Sequence, residues 1–175
     1  MAKILPIKKV KDIKRIKNKY REKELYYDLL LFLLAINTGL NTATLFNIKV
    51  KQLKRKKYLV VKKGISYNLN NEICELINVV CKGKDPTDLV FAKQIRNNVS
   101  RHSYYTNFKD ICAELNIYNA SIDSWRRTFG YHHYLAHKDL FFLQWYFNQN
   151  TAEQAMEYID IHEPMSSGFR EGLNL

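Results

Sequence analysis

At 175 residues, 46% of them hydrophobic, the chain is long enough for one domain with a sizeable core and too apolar for a disordered polypeptide. No apolar run reaches the length of a membrane span, MAKILPIKK lacks a signal-peptide segment, and Cys74, Cys81 and Cys112 are odd in number without metal-ligand spacing. A cytoplasmic protein with reduced structural thiols, no membrane partner and no cysteine-bound metal is therefore expected. Twenty-eight Lys and Arg against 17 Asp and Glu give a net charge of +11, and the excess sits in two blocks.

The first block is residues 1–23, with ten basic and two acidic side chains. Residues 1–7 read as unstructured. From Lys8 onward Val10, Ile13, Ile16 and Tyr20 recur at helical spacing in a lysine-rich background, which predicts a short amphipathic helix with one face on the body and the other toward solvent or phosphate. A basic membrane-surface helix would be more apolar than this. The next helix is predicted from Glu22 to Asn37, with Leu25, Leu29, Phe32, Leu33 and Ile36 as its core stripe and Gly39 as its stop. Thr42 is the expected cap of a short helix ending at Asn47.

The second block, residues 49–63, holds eight basic and no acidic residues. Charge gathered in this way is the footprint of a polyanion binder, although a solvated lysine face gives the same count. Within it the pattern changes to two β-prone runs, Tyr58 to Val61 and Ile65 to Leu69, separated by Lys62-Lys63-Gly64, and this predicts a hairpin. Asn70 is placed to cap a helix carrying Ile73, Leu76, Ile77 and Val80. A loop over 82–87 and a short strand from Asp88 to Phe91 are expected next. Tyr104, Phe108, Ile111, Cys112 and Leu115 define a further helix ending near Asn116.

The C-terminal third reads as three short helices. Trp125 and Phe129 share one face, Leu140, Leu143 and Phe147 repeat the spacing, and Thr151 with Gln154 is a capping-box pattern for a last helix bearing Tyr158. His133 and His137 stand four apart, but no carboxylate or further ligand is suitably spaced, so a metal is not expected.

Two stretches together carry a family resemblance. WRRTFGYHHYLAHKDLFFLQWYFNQNTAEQAMEY, from Trp125 to Tyr158, resembles the C-terminal signature of the tyrosine recombinases, the phage integrase family. LLFLLAINTGLNTATLFNIKVKQL, from Leu30 to Leu53, resembles that family's first box. The resemblance runs from about residue 20 onward and is nearest to members consisting of the catalytic domain alone. Arg126 and Tyr158 match. Asn41 stands at the position of an arginine, Asp123 at that of His or Lys, and Gln149 at that of His or Trp. Lys63, or else Lys62, matches the hairpin lysine.

The resemblance implies an α+β, mostly helical fold, that of the recombinase catalytic domain, with a small antiparallel sheet near residues 57–70. It implies a basic segment over 1–22, the catalytic-like domain over 23–160 and a tail over 161–175. Fewer than 25 residues precede the first core helix, so the family's separate N-terminal domain is expected to be absent. The tail, with Phe169 and Leu173 as anchors, is either a homo-oligomer contact or a frayed terminus.

The partner implied is double-stranded DNA, cut by attack of the tyrosine phenol on a phosphodiester through a 3′-phosphotyrosyl link, without metal or cofactor. Such chemistry needs an in-line nucleophile, a proton donor for the leaving oxygen and fixed cations for the non-bridging oxygens. Asn41 offers one neutral donor, Asp123 repels a phosphate, and Gln149 still donates. The expectation is thus a DNA-binding protein with an impaired or inactive site, a regulator or accessory factor of a phage or mobile element; the alternative is an active site-specific recombinase. Lys49, Lys51, Lys54, Arg55, Lys56, Lys57 and Arg127, with the basic N-terminal segment, are the expected phosphate contacts.

Overall fold

The computed structural model describes residues 3–61, 64–91 and 101–162. The described elements are α1 (Val10–Glu22), α2 (Tyr26–Thr38), α3 (Thr42–Phe46), α4 (Val50–Leu53), β1 (Tyr58–Val60), β2 (Ser66–Asn68), α5 (Asn71–Val80), α6 (Arg101–Glu114), α7 (Ile122–His137), α8 (Leu140–Phe147) and α9 (Ala152–Tyr158). The fold is mostly helical with one two-stranded antiparallel sheet, as expected.

The central element is α2. Every residue from Leu29 to Ala35 is buried, because the helix packs against α1, α3, α5, α6 and α7. Phe32 is the node of that core. Its ring lies 5.9 Å from Tyr20 of α1, 6.1 Å from Phe108 of α6 and 5.6 Å, edge-on, from Trp125 of α7. Truncating a ring so enclosed costs about 3–5 kcal/mol. Ile16 and Tyr20 bring α1 into this same core.

A second, smaller core joins α7, α8 and α9 through Phe129, Tyr134, Leu143, Phe147 and Ile159. Gly130 makes it possible: a Cβ there would overlap Phe147 and Ile159. Asn148 turns the chain between α8 and α9 at φ 58. Thr151 caps α9 by accepting from the Gln154 N–H at 3.2 Å. The Gln154 side chain answers with the Asn150 N–H at 3.1 Å, one residue before the position a capping box requires.

Several local expectations are corrected. The segment 3–9 forms no helix or strand but is pinned to α7, since the Ile7 N–H donates to Thr128 Oγ1 at 2.9 Å. The first core helix begins at Tyr26, after a break with Glu24 at φ 53, and α1 reaches Glu22. Asn41, not Thr42, caps α3, accepting from the Thr44 N–H at 2.8 Å. Asp88 to Phe91 forms a single bridge, Leu89 with Lys49, and no strand. The first signature helix, α7, is 16 residues long and not short.

The hairpin pairs Tyr58 with Asn68, Leu59 with Tyr67 and Val60 with Ser66, burying Leu59. Lys62 and Lys63 in its turn, and the tail with Phe169 and Leu173, lie outside the described residues.

Candidate active site

Three elements deliver the site. The C-terminus of α2 ends at Gly39, in the left-handed region at φ 65, where any Cβ would overlap the Phe129 ring. This close approach presses the α2–α3 turn onto α7. The Gly39 carbonyl then accepts from Arg126 Nε at 2.9 Å, and the Tyr146 carbonyl accepts from Arg126 Nη2 at 3.2 Å. The guanidinium also lies 4.8 Å from the centroid of Phe147. Tyr146 ties the same corner from the other side, donating its hydroxyl to the Thr38 carbonyl at 2.7 Å.

Asn41, Asp123, Arg126, Arg127 and Tyr158 all line one cleft of about 300 Å³. A neighbouring cleft of about 330 Å³ is lined by Arg127, Gln149 and Tyr158. Val61, the residue before the Lys62-Lys63 pair, lines a third with Asn41 and Arg126. Three elements thus bring Asn41, Asp123, Arg126 and Tyr158 to one cleft, with Gln149 in the neighbouring one and the base of the hairpin turn beside them.

What each residue does there is more particular. Asn41 is exposed and its side-chain oxygen is engaged as the α3 cap, leaving its amide NH₂ as donor. Asp123 is exposed in the first turn of α7, where a carboxylate is favoured by the helix dipole. Ser121 caps that helix, and its hydroxyl accepts from the Asp123 N–H at 3.2 Å. Gln149 is half-buried, and its own N–H donates to the Gln144 carbonyl at 2.9 Å.

Arg127 was expected at DNA or solvent, one helix position away from Arg126. Its side chain is half-buried and lines both clefts. Its guanidinium lies 4.3 Å from the Tyr158 ring centroid, and Nη1 donates to the Tyr158 carbonyl at 2.7 Å. The Tyr158 ring also meets Phe147, with centroids 4.9 Å apart and the planes tilted by 54°.

Two residues of the site had no signal in the pattern of spacing. Ile4 lines both of the first two clefts and Lys3 lines the second. The histidines serve packing here: His132 Nε2 meets the Ile7 carbonyl at 3.0 Å, and His133 stacks between Phe129, His137 and Phe142. Burial, with His137 adding a little, lowers the pKa of His133.

The two basic blocks differ sharply. Of the ten cations in residues 1–23, seven make ion pairs with described carboxylates: Lys3 and Lys8 with Asp160, Arg15 with Asp12, Lys17 and Arg21 with Glu72, Lys19 with Glu22, and Lys23 with Glu114. In the second block Lys49, Lys51, Arg55, Lys56 and Lys57 are exposed. None of these five makes an ion pair with a described residue. Lys54 is half-buried and donates to the Cys81 carbonyl at 3.3 Å.

The sequence profile of the phage integrase family matches residues 5–164. The chain belongs to that family. A probable integrase/recombinase of Bacillus subtilis (strain 168), YoeC, is 26% identical over 169 residues, which cover 91% of each chain. The crystal structure of XerA recombinase superposes with a TM-score of 0.69 at 14% identity, covering 94% of this chain. The chain spans 63% of the length of that recombinase, and the likeness shows a shared fold. The integrase fold therefore accounts for the convergence of α2, α7 and α9 on one cleft.

Proposed function

We propose that this chain holds duplex DNA on the integrase catalytic fold and has largely lost strand cleavage, acting as a regulator or accessory factor of a phage or mobile element. One observation carries the reading. Both guanidinium groups of the tyrosine cleft are held by protein carbonyls through part of their donors, Arg126 by Gly39 and Tyr146 and Arg127 by Tyr158 itself, while Asp123 adds a carboxylate to the same cleft.

A transition state with charge on non-bridging phosphate oxygens needs donors that are fixed and unengaged. Asn41 replaces a charged fork with one amide. Each missing donor costs about 3 kcal/mol in such sites, and the losses fall on groups that act together. Gln149 retains a donor and is the mildest departure.

The binding surface in this reading is the α4–β1 face: Lys49, Lys51, Arg55, Lys56 and Lys57. Exposed lysines and arginines without a carboxylate partner among the described residues can release counterions from a duplex, whereas the paired cations of α1 must first leave Glu72 or Glu114. The second reading is an active recombinase with Tyr158 as nucleophile. Its support is that Tyr158, Arg126 and Arg127 share one cleft, together with the kinship to a probable integrase/recombinase.

A gel-shift series with short duplexes tests the binding surface. The triple change Lys51→Ala, Arg55→Ala, Lys57→Ala should weaken binding more than about tenfold and reduce the slope of log K against log salt by roughly 2.7, or 0.9 for each phosphate contact. The pair Lys17→Ala, Arg21→Ala should shift it far less. The reverse ranking, or binding insensitive to salt, contradicts the assignment.

A further inference from the structure

We propose that residues 3–9 are a latch over the tyrosine cleft, rooted at Ile7 and closed by Lys3 and Lys8 on Asp160, which opens before a polyanion reaches Tyr158. The polyanion in this statement rests on the DNA-holding reading; the latch itself does not.

The root is deep. Ile7 is 4% exposed, its N–H donates to Thr128 Oγ1 at 2.9 Å, and its carbonyl meets His132 Nε2 at 3.0 Å. Thr128 and His132 stand one turn apart on α7, so both polar groups of Ile7 are held by a single rigid helix.

The tip is held differently. Past the root the chain runs back along the cleft, with the Leu5 N–H donating to the Asn119 carbonyl at 3.0 Å. Lys3 Nζ reaches Asp160 Oδ1 at 2.9 Å and Lys8 Nζ reaches Oδ2 at 2.7 Å. Lys8 also donates to the Asp160 carbonyl at 2.9 Å, and His162 Nε2 lies 3.0 Å from Oδ1. Asp160 follows α9 by two residues, so these contacts clasp the tyrosine helix from outside while Arg127 holds it from inside.

Exposure separates fixed from releasable parts. The Asp160 side chain is 11% exposed, while those of Lys3 and Lys8 are 51% and 39% exposed. Lysines so exposed are screened by salt and are open to phosphate, and the other hydrogen bond at the tip among the described residues is the Leu5–Asn119 main-chain bond. Ile4 lines both tyrosine clefts, so a closed tip narrows the approach to Tyr158. A phosphate chain entering there offers Lys3 and Lys8 another partner, and the ligand thereby loosens its own cover.

Residue-resolved amide exchange on the full chain tests the latch without DNA. Wild type should protect both the Leu5 and the Ile7 amides. Asp160→Asn, or 1 M salt on wild type, should release Leu5 and raise exchange in α9 while leaving Ile7 and α2 protected. Leu5 protection unmoved by both treatments overturns the proposal, as does a Leu5 amide exchanging freely in wild type at low salt.

A binding arm follows, using a short duplex and exposed Glu75→Gln as a control for lost negative charge. Asp160→Asn should bind at least about threefold more tightly than the control, since apparent affinity scales with the open fraction. Equal affinity contradicts a cover. If none of the proteins binds duplex, the DNA reading fails, and the exchange results decide the latch alone.

Discussion

The guanidinium of Arg127 rests 4.3 Å from the Tyr158 ring centroid and donates to the main-chain carbonyl of that same tyrosine at 2.7 Å. A residue that spacing alone directs outward is thus the inner support of α9. Arg127→Ala removes a half-buried cation–π contact and a charge-assisted hydrogen bond, and should destabilise the fold by about 2 kcal/mol. Tyr158→Phe leaves both contacts in place and should stay within about 0.5 kcal/mol of wild type. Urea denaturation of the two variants checks the difference; equal losses would show that Arg127 is not the support.

Gly39 is where α2 meets the site. With φ at 65 and the Phe129 ring against its Cα, Gly39→Ala combines left-handed strain with overpacking. A loss of about 2–4 kcal/mol is expected by chemical denaturation. Gly64, also at positive φ but with open space around it, should tolerate alanine at about 1 kcal/mol.

Asp160 gives a pH signature. Burial alone would raise its carboxyl, but hydrogen bonds from Lys8, Lys3 and His162 hold it well below the usual carboxylate range. A depressed folded-state pKa contributes stability above the unfolded value of about 4, and that contribution is lost as pH falls below it. The stability gap between wild type and Asp160→Asn should therefore be flat from about pH 5 to 8 and shrink below about pH 4. A gap that stays unchanged below about pH 4 would contradict the assignment to the Asp160 carboxylate.

The thiols should react in order of burial. Burial pushes the Cys112 thiol up to about 12 and raises that of Cys81, and both side chains are buried. Cys74 is half-exposed, though its Sγ lies 3.4 Å from the Leu69 carbonyl. Iodoacetamide at pH 8 should label Cys74 first in the folded protein, as mass spectrometry of the peptides would reveal.

The legible parts of this molecule are those set by local pattern. The apolar run of α2, the Asn70 cap, the hairpin and the Thr151 cap are written in spacings of two to four residues. The gathering of Asn41, Asp123, Arg126 and Tyr158 followed from a family resemblance. Local pattern failed where partners are distant in sequence. The 3–9 segment owes its order to Thr128, His132, Asn119 and Asp160, none within a hundred residues of it. The basic residues of α1 look like a phosphate-binding row until Glu72 and Glu114 arrive from α5 and α6. Arg127 packs on Tyr158, which offers both a ring and a carbonyl, and neither is visible from helix periodicity.

The most direct test of the central claim is covalent capture on a nicked suicide duplex, from a library of sites, with wild type and Tyr158→Phe side by side. A denaturing gel reads adducts, and a shift assay reads binding on the same DNA. The cleft geometry predicts equal binding by the two proteins and no adduct from either. An adduct formed by wild type and absent from Tyr158→Phe would contradict it, and would establish an active recombinase that works with Asn41, Asp123 and Gln149 in place.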